Sequence, residues 1–196
     1  IPSLIAIHHL RTRYVTVSTL VRVRCSASAS DDTTGSWAIP AHAASANPGD
    51  PAIHYSLGNA LRNLGRHAQA LASYDRALAL RPDIAGINLA RGVALLALGR
   101  PGEALESLDR ATALDGAIAQ AWGNRGLALR ALGRHEEAVG SLQRAAQLAP
   151  QSAEARNELG AAQLAAGQAA RALESFEAAA TLQPGFPEAL SNRAVA

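Results

Sequence analysis

Lysine and methionine are missing from this chain, cysteine occurs once, and aromatic residues make up only 4% of its 196 positions. Each shortage removes an explanation. A core with so few rings must close by near approach of backbones across small side chains, which is what a protein rich in alanine and glycine does when helices pack tightly. The lone Cys25 excludes a disulfide framework and paired metal-ligand spacing, and it fits a reducing, cytoplasmic setting. All 18 basic residues are arginine, the formal net charge is only +2, and no basic cluster forms, so a nucleic-acid partner is not expected. No apolar run reaches the roughly 20 residues of a membrane span, so no membrane partner is expected either. The absent initiator methionine points to a fragment or a processed chain.

Residues 1–50 share no period with the rest and read as an irregular leader or linker. Within it, Val15, Val17, Val21, Val23 and Cys25 fall on one parity, which predicts a single β-strand at 14–25. The Ser-, Ala-, Asp- and Pro-rich stretch that follows has the composition of a linker.

From Pro51 onward the chain repeats. Gly58, Gly92, Gly126 and Gly160 stand 34 residues apart, and most informative positions recur at that interval. A unit of that length holds two short helices, cannot bury its apolar face alone, and must stack on copies of itself. The units span 51–84, 85–118, 119–152 and 153–186, with a partial fifth at 187–196. Helix A is expected at 51–64, 85–98, 119–132 and 153–166, and helix B at 67–80, 101–114, 135–148 and 169–182. Gly65, Gly99, Gly133 and Gly167 supply left-handed caps after helix A, and Pro82, Pro150 and Pro184 stop helix B. The packing columns predict that the first glycine column faces Ala70, Ala104, Ala138 and Ala172. Tyr74, Leu108, Leu142 and Phe176, together with Leu80, Leu114, Leu148 and Leu182, are expected to fill the core.

Gly58, Ala70, Tyr74, Ala77 and Pro82, with their counterparts in later units, resemble the tetratricopeptide repeat signature, and Trp122 stands where that signature carries its tryptophan. The resemblance covers 51–184 fully and 187–196 in part. It implies an all-α, right-handed α-solenoid of helix-turn-helix units whose concave wall is lined by helix A, and a non-enzymatic module that binds a protein or peptide there. The inward positions so implied are Tyr55, Asn59 and Arg62, then Leu89, Val93 and Leu96, then Asn124, Leu127 and Arg130, and Asn157. Leu89, Val93 and Leu96 would form an apolar strip suited to a peptide; the plainer reading is that the strip packs on its neighbours.

The wording of units three to five, Asn124-Arg125-Gly126, Gly133-Arg134-His135-Glu136-Glu137-Ala138 and Pro187-Glu188-Ala189-Leu190, also resembles bacterial arrays that precede glycosyltransferase domains of the O-linked N-acetylglucosamine transferase type. That implies an alternative, the substrate-recruiting part of such an enzyme. The asparagine ladder of those arrays is broken here by Ser56, Ala90 and Glu158, and none of the transferase domain lies in these residues.

Catalytic chemistry has no foothold. Ser73, Ser107, Ser141 and Ser175 recur too regularly to contain a unique nucleophile, and no base accompanies them. His54, His67 and His135 lack the i, i+4 pairing of a zinc site, so neither metal nor cofactor is expected. The last helix leaves Leu190, Ala194 and Val195 uncovered, which predicts a longer parent chain or end-to-end self-association.

Overall fold

The computed structural model describes residues 48–195. The expected strand at 14–25 and most of the leader lie outside the described residues. Among the described residues nine helices follow one another: α1 (Pro51–Asn63), α2 (His67–Leu80), α3 (Ala85–Ala97), α4 (Pro101–Leu114), α5 (Ala119–Ala131), α6 (His135–Leu148), α7 (Ala153–Ala165), α8 (Ala169–Leu182) and α9 (Pro187–Val195). Odd-numbered helices are the A helices and even-numbered ones the B helices. Every A helix ends one residue before the expected boundary, and every B helix coincides with it.

The chain turns for stated reasons. Gly65, Gly99, Gly133 and Gly167 adopt φ of 75°, 71°, 74° and 74°, a region that side chains with a Cβ disfavour. Each completes a paired cap: the Gly65 amide donates to the Arg62 carbonyl at 2.9 Å and the Arg66 amide to the Leu61 carbonyl at 2.9 Å, and the other three units repeat both bonds. At the other turn, Pro82 follows Arg81, which ends α2 in extended geometry (φ −143°, ψ 94°), as a residue ahead of proline prefers.

Helices pack on their chain neighbours and each A helix touches the next A helix, so the array is one-dimensional. The atoms nearest the glycine column belong to the ring and leucine column. A Cβ on Gly92 would lie 2.6 Å from Leu108 Cγ, and one on Gly160 would lie 2.6 Å from Phe176 Cε1. Tyr74, Leu108 and Phe176 are fully buried as a result, and burying a side chain of this size contributes about 1.5–3 kcal/mol. The alanine column, Ala70, Ala104, Ala138 and Ala172, is fully buried too.

One expected core column is not core. Leu80, Leu114 and Leu182 are exposed, and Leu148 is half-buried. Helix B buries Ala70, Tyr74 and Ala77, and at about 100° per residue position 80 lies at the edge of that stripe.

Candidate functional site

The A helices carry a wall in which side chains are half-exposed rather than free. On α1, Tyr55 tilts against Tyr74 with ring centroids 6.1 Å apart, and Asn59 accepts a 2.9 Å hydrogen bond from the Tyr74 hydroxyl. Arg62 is half-buried beside them and has no carboxylate partner among the described residues. On α5, Leu127 is half-exposed, and Arg130 reaches across to α7, where its guanidinium donates to Glu158 Oε2 at 2.8 Å. Asn157 accepts a 3.0 Å hydrogen bond from the Asn192 amide on α9.

Three expectations change. Val93 is only 4% exposed, and Leu89 and Leu96 pack against the buried cluster around Leu95, Leu105 and Leu129, so the strip on α3 is largely core with a partly exposed edge. Asn124 is buried and its amide turns back to the Gln120 carbonyl at 2.8 Å, away from any ligand backbone. Arg130, expected to face inward and free, is paired with Glu158.

Two ties between units were not foreseen. Arg91 donates to Asp75 on the preceding B helix at 2.6 Å and to Ser107 on its own B helix at 2.6 Å; Arg125 does the same with Asp109 and Ser141, again at 2.6 Å each. Each arginine bridges three helices, with carboxylate and hydroxyl both spaced 16 residues from it. The serine column is therefore structural. Its signal was in the sequence as Asp75, Arg91, Ser107 and Asp109, Arg125, Ser141, two aligned sets at equal spacing.

The second tie holds the start of the first three A helices. His54 Nε2–H donates to the Pro48 carbonyl at 3.0 Å, Asn88 to Pro82 at 3.1 Å, and Trp122 to Gly116 at 3.0 Å, each six residues back. Unlike as they are, these side chains share one property, a nitrogen donor of suitable reach.

Both ties fail at the junction of units three and four. The arginine position holds Leu159 and the aspartate position Gln143. Ser175 instead donates to Gln163 Oε1 at 2.7 Å. The fourth tethering position holds Arg156, whose buried Nε meets no hydrogen-bond acceptor. A cleft of about 540 Å³ opens there.

On the surface, Arg100 and Arg134 fork onto Glu103 and Glu137 at 2.6–2.7 Å. The hydrogen bond from each arginine, reinforced by its charge and opposed by partial desolvation, holds the glutamate below its ordinary value of 4.5. Among the described residues no group of His, Cys, Asp or Glu converges on a metal position, and no helix is long and apolar enough to cross a membrane.

Helix hairpins stacked in register, with small residues where helices meet and variable residues on the A face, define a repeat protein of the interaction-scaffold class. The chain belongs to the tetratricopeptide repeat family: one family profile matches residues 89–153 and 137–187, and a second of the same description matches 51–84. No match is found among curated proteins. Among solved structures, the chain is similar to MamA residues 41 to end from Desulfovibrio magneticus RS-1 (25% identity, TM-score 0.73, covering 89% of this chain and 96% of that one). It is also similar to YrrB, described as a TPR protein with an unusual peptide-binding site (23% identity, TM-score 0.72, 81% of each chain). A third is PilF of Pseudomonas aeruginosa (28% identity, TM-score 0.67, 74% of this chain and 66% of that one).

Proposed function

We propose that the A-helix wall binds a peptide or an extended protein segment, without catalysis. The observation that carries this reading is the chemistry left half-exposed along α1, α3 and α5: Tyr55, Asn59 and Arg62 beside the edges of Leu89 and Leu96, then Leu127. An aromatic ring, an amide, an unpaired cation and aliphatic surface in one row suit a mixed peptide with an acidic residue toward Arg62 and apolar ones toward Leu89 and Leu127. Unlike Val93, the positions Arg62 and Leu127 are open enough to alter without emptying the core. YrrB, which has this fold and whose description includes a peptide site, lends the reading support by analogy.

The test is peptide panning against the full chain, followed by affinity measurement on Leu127→Asp and Arg62→Glu. Selected peptides should bind each variant at least about tenfold more weakly while the far-ultraviolet helix signal stays unchanged. Undiminished binding to both variants contradicts the reading. Self-association is a further part of it: Leu190 on α9 is 40% exposed, and a second copy could cover it end to end. Light scattering over a concentration series should reveal dimers, and a monomer throughout rules this contact out. The observations do not favour a transferase-type asparagine ladder, because Asn124 and Asn157 are already hydrogen-bonded within the array.

A further inference from the structure

The cleft at the third junction lies on the other side of α7 from the proposed groove. Arg156, Leu159 and Gln163 line it from α7, at successive offsets of three and four residues, whereas Glu158 and Ala161 belong to the groove face; at about 100° per residue the two sets point in opposite directions. Gln143 on α6 and Glu174 and Arg171 on α8 complete the walls.

At the first two junctions the corresponding positions are tied to one another. An aspartate of the preceding B helix meets an arginine of the A helix, and that arginine reaches the buried serine. At the third junction a neutral amide and a leucine replace the charged pair, and the volume stays open. Arg156 adds a second anomaly. Its counterparts His54, Asn88 and Trp122 each bond the carbonyl six residues back, yet Arg156 Nε is buried beside Pro150 without an acceptor. Only Nε is out of reach of solvent; the side chain as a whole is half-buried and lines the cleft, so a carboxylate held there would meet the guanidinium from its open side, and a charge-assisted contact of that kind is the strongest the site offers.

The geometry points to a second binding site in this cleft, which takes one carboxylate, that of an acidic side chain of a partner or of a small dicarboxylate, with Arg156 as its principal contact. Arg156 and Arg171 against Glu174 leave one positive charge in the walls, which matches a single carboxylate; the second carboxylate of a dicarboxylate is free to stay in solvent, whereas both charges of a phosphate sit on one group. A doubly charged phosphate would face the Glu174 carboxylate at close range. Gln143, where the other junctions hold aspartate, offers an amide donor and no opposing charge.

The full chain, labelled with nitrogen-15, is titrated with a blocked alanine-glutamate-alanine tripeptide, its glutamine counterpart, glutarate and inorganic phosphate, and the Arg156 Nε–Hε and Gln143 amide signals are followed. The glutamate peptide should shift both signals saturably, the glutamine peptide should not, and Arg156→Gln should weaken binding about tenfold or more. Saturation by glutarate as well assigns the carboxylate to a small molecule; saturation by the peptide alone assigns it to a partner's side chain. Should Arg156→Gln fail to fold, the pair Gln143→Asp with Leu159→Arg, which installs the internal clamp of the other junctions, must abolish binding with helicity retained. Equal shifts from both peptides, preferential binding of phosphate, or undiminished binding in either variant overturns the site. These signals come from α6 and α7 away from the groove, so their failure leaves the groove reading untouched, and the reverse holds.

Discussion

The first two junctions and the third solve the same packing problem with different side chains. At the first and second, Arg91 and Arg125 clamp an aspartate and a buried serine, while Asn88 and Trp122 tether the helix start. At the third, Gln143 and Leu159 stand in the clamp positions without forming a clamp, Arg156 leaves its tether unmade, and a cleft lies there. The helix boundaries keep their register through the exchange, and the glycine and ring columns run through all three. Shape is set by the small-to-large contact, and chemistry at a junction is free to vary around it.

The sharpest way to break that comparison is to attack what the junctions share. Gly92→Ala and Gly160→Ala each drive a methyl into Leu108 Cγ or Phe176 Cε1, and overpacking of this kind costs about 1–3 kcal/mol, less roughly 1 kcal/mol that alanine returns in helix propensity. The two variants should lose similar stability in urea titrations. A loss confined to one of them would mean that the junctions differ in backbone as well.

Attacking what they do not share should give unequal results. Arg91→Ala removes its bonds to Asp75 and to buried Ser107, whose hydroxyl keeps its bond to the Glu103 carbonyl, and should cost about 1 kcal/mol, since the half-exposed aspartate is screened and the serine is not orphaned. The same measurement on Gln143→Asp with Leu159→Arg should change stability by less than about 1 kcal/mol, as the new ion pair offsets lost apolar burial. A large gain there would show the third junction to be merely deficient.

The smallest effect is at the surface forks. The folded Glu103 and Glu137 carboxyls lie below 4.5 because Arg100 and Arg134 bond their ionised forms. Their contribution to stability is therefore present above the unfolded value and is lost as pH falls through the folded one. Carbon-13 titration should place both midpoints below 4.5, and Arg100→Gln should return Glu103 toward its usual range while leaving Glu137 unchanged.

Most of the fold was legible because period, glycine cap and proline stop all report local geometry. The caps at Gly65, Gly99, Gly133 and Gly167 fix the hairpins without reference to anything distant. Burial across helices was less legible. Val93 is core because α3 is buried on nearly every side, so no face of it reads as free, and Leu80 is exposed because it lies at the edge of its helix's apolar stripe, where a small rotation decides. The clamps were written in the aligned aspartate, arginine and serine columns, but each column alone looks like a solvated surface. Arg156 was hidden for the opposite reason, because only its departure from His54, Asn88 and Trp122 gives it meaning.

The central claim is that partner binding belongs to the A-helix wall. Amide chemical-shift mapping of a panned peptide without acidic residues, which the third-junction cleft should not hold, tests it most directly. Saturable shifts at Tyr55, Asn59, Leu89 and Leu127 are expected, with α2, α4, α6 and α8 silent. Shifts concentrated on those B helices, with the wall unaffected, would contradict the claim.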